Sequence, residues 1–459
     1  MADRTTQLEQ SNIGRMLFVF ALPAIIATSA TSVYNIIDRI FIGHAVGELG
    51  LAGMTIALPV MNLATAFGTL VGSGAAALTS IRLGERENEK ATLILGNALL
   101  LNIIISIAFT IIMLLFLDPI LLMFGANVHT LPYARAFLQI ILAGNLFTHI
   151  LFGLNSIMRA SGYPFKAMFS ILITVACNLI LAPLFIFAFG WGMRGAATAT
   201  VISQFVGMCW VLAHFSQSKS RIHFQKQHIR LNLRTAMSMF AIGLSPFIIH
   251  VCASLINVFI NRQLEQYGNF AIATYGIIAV LQSLVVTMVL GLTHGMQPIV
   301  GFNYGARHND RVMKTYRLTL LWATIICATF FLAIECFPQQ IVHAFTDDAQ
   351  MINAAVSALR ISCAAMLVVG FQIVTSTFFQ AINKAAVSIF LSLLRQLIFL
   401  LPFLWWLPRL FAINGVWGAM PAADLCAAAV TAVVMAFATR KLVRQSYPNK
   451  IENSSKSTY

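Results

Sequence analysis

Gly74-Ala-Ala-Ala-Leu-Thr-Ser-Ile-Arg-Leu-Gly84-Glu-Arg86-Glu-Asn88-Glu-Lys90 returns 221 residues later as Gly295-Met-Gln-Pro-Ile-Val-Gly-Phe-Asn-Tyr-Gly305-Ala-Arg307-His-Asn309-Asp-Arg311. Gly74, Gly84, Arg86 and Asn88 all recur. At the same offset Arg159-Ala160 falls on Gln380-Ala381, and Gly162 on Asn383. Two residues of slip also bring Pro23 onto Pro246, Asp38-Arg39 onto Asn261-Arg262, and Gly192, Gly195 and Ala196 onto Gly415, Gly418 and Ala419. A chain that repeats over half its length is built from two copies of one unit.

The unit is a membrane bundle. Of 459 residues, 59% are hydrophobic and only 10% charged, far from the balance of a soluble domain. Apolar runs of the ~20 residues needed to cross a hydrocarbon core recur along the whole chain. Twelve spans are predicted, at roughly 14–40, 51–80, 92–118, 132–158, 165–189, 194–215, 235–262, 270–302, 315–337, 353–382, 386–408 and 414–440. This is an all-α polytopic membrane protein with 12 transmembrane helices in two pseudo-symmetric six-helix bundles. The expected layout is a short N-terminus (1–13), bundles at 14–215 and 235–440, a basic linker at 216–234 and a tail at 441–459. Six spans per half makes the halves parallel, with substrate expected near the repeat interface.

The net charge of +14 invites a nucleic-acid reading, but its distribution explains it otherwise. Of the 29 Lys and Arg residues, 22 fall on one side of the predicted topology and 5 on the other, with Arg360 and Arg395 inside spans. By the positive-inside rule both termini are cytoplasmic, in a multi-pass protein of the inner or plasma membrane. The seven cysteines lie in or beside apolar runs with no CxxC, and read as buried thiols. The polar start, Met1 to Asn12, lacks the pattern of a cleaved signal, so the first run is kept as a helix.

No Walker-type phosphate loop, HExxH or GxSxG is present, so this chain is read as no enzyme and as no ATP-driven pump by itself. The functional candidates are polar residues inside apolar spans. On the first span Thr28, Thr31, Asn35 and Asp38 are spaced three, four and three apart, one stripe of a helix. An acid at membrane depth costs ~2.5–3.5 kcal/mol on insertion scales, so Asp38 must be held or used. It is a proton- or cation-binding group, or else a solvated end-of-span residue paired with Arg39. Pro23 either kinks the helix or sits harmlessly in its first turn. The second half repeats the stripe as His250, Ser254, Asn257 and Asn261 without an acid, which assigns ion coupling to the N-terminal half. Asn178 is a helix–helix or ion contact. Arg395, deep in its span, needs an ion-pair partner or a water-filled cavity. Gln282, Met288 and Gln297 join it as candidate substrate-cavity residues, with methionines giving an adaptable apolar wall.

Taken together, these residues resemble the MATE (multidrug and toxic compound extrusion) family. The resemblance rests on the two six-helix halves, Tyr34-Asn-Ile-Ile-Asp38-Arg-Ile-Phe-Ile-Gly43, Arg82-Leu-Gly84-Glu, Arg159-Ala-Ser-Gly162-Tyr-Pro and Gly195-Ala-Ala-Thr-Ala-Thr200. Phe379-Gln380-Ala-Ile-Asn-Lys384 and Leu393-Leu-Arg395-Gln are similar to the DinF- and MepA-like branch. The resemblance implies a V-shaped fold and a monomer in the lipid bilayer. It implies export of bulky, lipophilic, often cationic compounds, with no cofactor beyond H⁺ or Na⁺ as coupling ion. Members of this branch place a cation or proton site on the first-helix Asp, matching Asp38 as a H⁺ or Na⁺ site beside Tyr34. Asn178 and Thr200 match two further members of that site. A fifth-helix Asp is also implied, but here that position is Ala182, and span 7 lacks the Glu of the NorM-like branch. Asp38 is then expected to couple alone, weakly or through protons. The competing readings are a flippase for lipid-linked precursors, which would need a cationic cavity, and a major-facilitator carrier. The latter is disfavoured because Ser80-Ile-Arg-Leu-Gly-Glu-Arg-Glu does not give that family's loop. A non-transporting receptor would have no need of the repeat.

Overall fold

The computed structural model describes residues 11–218, 220–345 and 349–446. Helices α1 (Ile13–Val46), α2 (Glu48–Gly84) and α3 (Asn88–Leu115) open the chain, followed by the short α4 (Leu117–Met123). Next come α5 (Leu131–Ala143), α6 (Asn145–Ala160), α7 (Pro164–Pro183) with a π-turn at Leu184–Ala188, and α8 (Gly192–Ser216). The second half follows the same order with α9 (Leu233–Glu265), α10 (Asn269–Gly305), α11 (Asn309–Cys336) and the short α12 (Pro338–His343). It closes with α13 (Ala349–Cys363), α14 (Met366–Ala381), α15 (Ala385–Leu393), a π-helical stretch at Leu394–Leu400 and α16 (Leu401–Ser446).

Among the described residues nine helical runs are long and apolar enough to cross a membrane, and two bent pairs add one span each. The last run, Ala385–Thr439, has 55 residues, about 80 Å of helix and more than twice the thickness of a bilayer core. It is two helices joined at Ala412, where φ is 50° and ψ −133°. Twelve spans result. The fourth and tenth, expected to be continuous, bend by 55° between α5 and α6 and by 44° between α13 and α14. At the first bend Gly144 lies against Val201, where an added Cβ would come within 2.4 Å of the valine methyls. Pro23 falls in the interior of α1, which excludes the first-turn alternative.

The duplication is visible in the backbone itself. Left-handed residues recur 221 residues apart: Gly47 with Gly268, Arg86 with Arg307, and Gly162 with Asn383. Four of these residues close their helices through the same pair of hydrogen bonds, Gly162 with its own N donating to Arg159 O and Tyr163 N to Met158 O. Glu87 N donates to Arg82 O and Arg86 N to Leu83 O; His308 N donates to Asn303 O and Arg307 N to Tyr304 O. Lys384 N donates to Phe379 O and Asn383 N to Gln380 O in the same way. These are Schellman closures, which need a residue at positive φ.

The chain folds into two compact units whose borders fall inside helices. One unit is Val19–Ser254, and the other is the chain up to Phe18 together with everything from Leu255 onward. The first unit therefore takes the opening turns of α9 as well as the linker. There α9 lies backbone to backbone on α2: a Cβ on Gly74 would sit 2.0 Å from Met239 O, and one on Gly243 1.7 Å from Leu70 O. Contacts this close between spans suit small residues, because no hydrophobic force pulls helices together in lipid. Its core gathers Ile42, Val60, Phe137, Leu138, Ala182, Ile186 and Ala196. In the second unit Tyr316 Oη and Thr375 Oγ1 are 2.9 Å apart, a hydrogen bond between α11 and α14.

Candidate functional site

On α1 only part of the polar stripe turns inward. Thr28 and Thr31 satisfy their hydroxyls on their own helix, donating to Ala24 O at 3.1 Å and Ala27 O at 3.0 Å. Asn35 is exposed, whereas Asp38 is only 3% exposed. The inward set is Thr31, Tyr34 and Asp38, spaced three and four apart.

Tyr34 reaches across to α8, where its Oη lies 3.4 Å from Thr200 Oγ1. Asn178 on α7 donates to the same oxygen at 3.1 Å, and Thr200 itself donates to Ala196 O at 3.0 Å. One threonine thus ties α1, α7 and α8 together, and the four residues expected to serve ion coupling lie around it. Three are joined through Thr200, and Asp38 stands one turn along from Tyr34. The carboxyl is neither solvated nor in an ion pair with Arg39 among the described residues, and its Oδ1 is buried with no hydrogen-bond partner.

A cavity of about 30 Å³ opens beside this knot, lined among others by Thr31, Tyr34, Thr174, Asn178, Thr200 and Ser203. That is room for about one or two waters. Gln204, also on its wall, accepts a hydrogen bond from Thr148. Sequence reasoning missed Thr174, Ser203 and Gln204. The signal was present in the spacing: Thr174 is one turn from Asn178, and Ser203 and Gln204 follow Thr200 by three and four.

Ala182, one turn beyond Asn178, is fully buried in the apolar cluster that holds Ile42 and Ile186. The position implied to carry a second acid is dry in this chain. Pro183 follows it immediately and the helix continues as a π-turn, since proline offers no N–H to the regular ladder. No group of three metal-capable His, Cys, Asp or Glu side chains occurs among the described residues. A cation here would have to rest on Asp38 with neutral oxygens.

The structure does not gather the four candidates of the second half into one place. Arg395, on the π-helical stretch, donates from Nε to Asp424 Oδ1 on α16 at 2.6 Å. Gln372 on α14 donates to the backbone carbonyl of the same aspartate. Gln282 on α10 donates to Ser362 O at 3.4 Å, with Met420 Sδ 3.6 Å away. Gln297 lies fifteen residues further along α10, about 22 Å from Gln282, and Met288 lies half-buried between them.

The MatE family model matches this chain twice, over residues 23–184 and again over 246–406. The chain belongs to the MatE family. It is a membrane transporter by that membership, not an enzyme. Among MatE relatives, the multidrug export protein MepA of Staphylococcus haemolyticus (strain JCSC1435) is 25% identical over 445 residues, covering 97% of this chain and 98% of MepA. MepA of Staphylococcus aureus (strain N315) is 26% identical over 439 residues, covering 95% and 97%. Among solved structures, the MATE multidrug transporter DinF-BH, captured in complex with a ligand, is 34% identical with a TM-score of 0.87, over 93% of this chain and 96% of that one. The outward-facing conformation of a MATE family transporter of the MOP superfamily superposes with a TM-score of 0.91 at 22% identity, over 96% and 99%. That last likeness is one of fold.

Proposed function

We propose that this MatE protein exports lipophilic, often cationic compounds across the cytoplasmic membrane by antiport against H⁺ or Na⁺, and that Asp38 is the coupling group. Buried Asp38 with its unpartnered Oδ1 carries the reading. An ionised carboxylate buried without partner is costly, so Asp38 must take up a proton or hold a cation to stay where it is. Tyr34, Asn178 and Thr200 supply neutral oxygens and a hydrogen-bonded wall beside it, and the adjoining cavity gives water a place to stand. Alternating access would then be driven by the difference between a loaded and an empty Asp38. With Ala182 in place of a second acid, a proton suits the site better than Na⁺, which would keep one charged ligand. The names of the MepA relatives and the ligand complex of DinF-BH support a small lipophilic cargo. The chain works as a monomer with both termini in the cytoplasm and takes no cofactor.

A flippase for lipid-linked pyrophosphates would need free cationic groups in the spans. Arg395 is paired with Asp424 at 2.6 Å and Arg360 with Glu335 at 3.3 Å, which weighs against that alternative. The deciding experiment is dye efflux from energised vesicles with imposed proton or Na⁺ gradients, comparing the wild type with Asp38→Asn. Loss of gradient-driven efflux in the variant is expected. Undiminished efflux would remove Asp38 from the coupling step, and wild-type inactivity with headgroup-dependent lipid flipping would favour the flippase.

A further inference from the structure

The segment between α8 and α9 behaves as a seated strap, not as a tether. Ile222 is buried, Phe224 N donates to Phe215 O at 2.8 Å, and the two phenylalanine rings touch. Arg221 Nε donates to Asn88 Oδ1 at 2.9 Å at the start of α3. Asn97 Oδ1, nine residues further along the same helix, accepts from Asn232 N at 2.7 Å. Between these two fixings the strap backbone lies so close to α3 that a Cβ on Gly96 would meet His228 O at 2.3 Å. Only glycine leaves room for it.

Nine residues of α-helix are about 14 Å, so the strap runs along α3 from its polar start, Asn88-Glu-Lys90, to a level beyond its first apolar turn, Ala91 to Leu95. A headgroup layer is roughly 5–8 Å deep on each side of a bilayer, so with Asn88 at its water edge the strap's end would lie at the edge of the hydrocarbon. Its outward side chains match that depth. Leu231 and Leu233 are 50% and 71% exposed, and Lys226, Arg230 and Arg234 are exposed around them. From Ser216 to Arg234 there is no acidic residue. The neighbouring connection between α2 and α3 cancels its own charge: Arg82 pairs with Glu85 and Glu87, and Lys90 with Glu87. The Lys90 hydrogen bond, foremost, holds the Glu87 carboxyl below the usual carboxylate range.

We propose that this strap is a binding surface for anionic phospholipid headgroups, with Lys226, Arg230 and Arg234 taking the phosphates and Leu231 and Leu233 entering the acyl boundary. Alternating basic and leucine residues suit that interface because long cationic side chains bend back to the headgroups from apolar depth. Bound lipid would fix the strap, and with it the start of α9. The inference rests on the cytoplasmic placement of the linker, which is tested separately.

Full-length protein in detergent is titrated with phosphatidylglycerol and with phosphatidylcholine, and retained lipid is counted by native mass spectrometry. The wild type should prefer phosphatidylglycerol in a salt-sensitive way. At about tenfold or less per removed cation, the Lys226→Gln/Arg230→Gln/Arg234→Gln variant should bind it about 100-fold more weakly. The charge-keeping Lys226→Arg/Arg230→Lys/Arg234→Lys variant should retain the preference, and separates lost charge from lost fold. Equal retention of the two lipids by the wild type, or an unchanged preference in the glutamine variant, would overturn the proposal. Sidedness is read from Lys226→Cys with a membrane-impermeant maleimide. Extra labelling over wild type in inside-out vesicles only is expected, and labelling only from the outside would remove the cytoplasmic placement itself.

Discussion

The same two helices of each half carry the same kind of contact with opposite electrical content. In the first half α7 and α8 are joined by Asn178 and Thr200, two neutral groups. In the second half the corresponding stretches, Ala385–Leu400 and the later part of α16, are joined by half-buried Arg395 and buried Asp424, an ion pair. Among the described residues the first half then keeps a buried acid, Asp38, whose Oδ1 has no partner, while the second ties its buried Asp424 to a guanidinium. One duplicated framework has thus been given a side that can change its charge and a side whose charge is locked. The lesson is that repetition of backbone says nothing about repetition of function, and that free and paired acids must be told apart in three dimensions.

The sharpest way to break this contrast is Asp38→Asn, expected to bring gradient-driven efflux down to background while leaving the amount of folded protein unchanged, as measured by dye efflux beside size-exclusion recovery. Next comes Asp424→Ala, which strands Arg395 in its span and should destabilise the protein by about 3–5 kcal/mol, read as a fall in melting temperature. The double change Arg395→Met/Asp424→Leu should recover most of that loss and still couple efflux to the gradient, since the locked pair is not the coupling group. Ala182→Asp tests the dry position beside Asn178. Placed in the cluster with Ile42 and Ile186, the new acid should lower stability by several kcal/mol and alter the pH profile or ion preference of efflux. An unchanged profile would show that position 182 lies outside the site.

Thr200→Ala removes the shared partner of Tyr34 and Asn178 and should cost about 1 kcal/mol for each bond that is lost, with efflux falling several-fold and Thr200→Ser restoring it. The smallest effect concerns the repeat itself. Exchanging the residues at one left-handed position, Gly162→Asn and Asn383→Gly, should change stability in opposite directions by an amount on the order of 0.5–1 kcal/mol, read as opposite shifts of melting temperature.

Much of the architecture was legible because the repeat leaves its mark on turn residues. Gly84-Glu-Arg86 and Gly305-Ala-Arg307 end long helices with the same closure, and the sequence aligned them without help. The bends at Gly144 and between α13 and α14 were not legible. Each half-helix is apolar enough to pass for part of a straight span, and the bend depends on what packs against it. At the site, periodicity found the right face of α1 but not its edge. Asn35 and Tyr34 are neighbours in sequence, and only packing against α8 decides that the tyrosine turns inward and the asparagine outward. Arg395 was recognisable as needing a partner. That the partner is Asp424 depends on how the last two helices pack, which spacing alone does not give.

The close seating of α9 on α2 bears on any attempt to divide the molecule. A fragment cut at the linker, ending near Ser216, would lose the turns around Met239 and Gly243 that cover Leu70 and Gly74, and would present a bare strip of helix backbone to detergent. A fragment running to Ser254 keeps that cover. Co-expressed pieces split inside α9 should therefore reassemble better than pieces split at the loop, contrary to the usual preference for breaking a chain where it is polar.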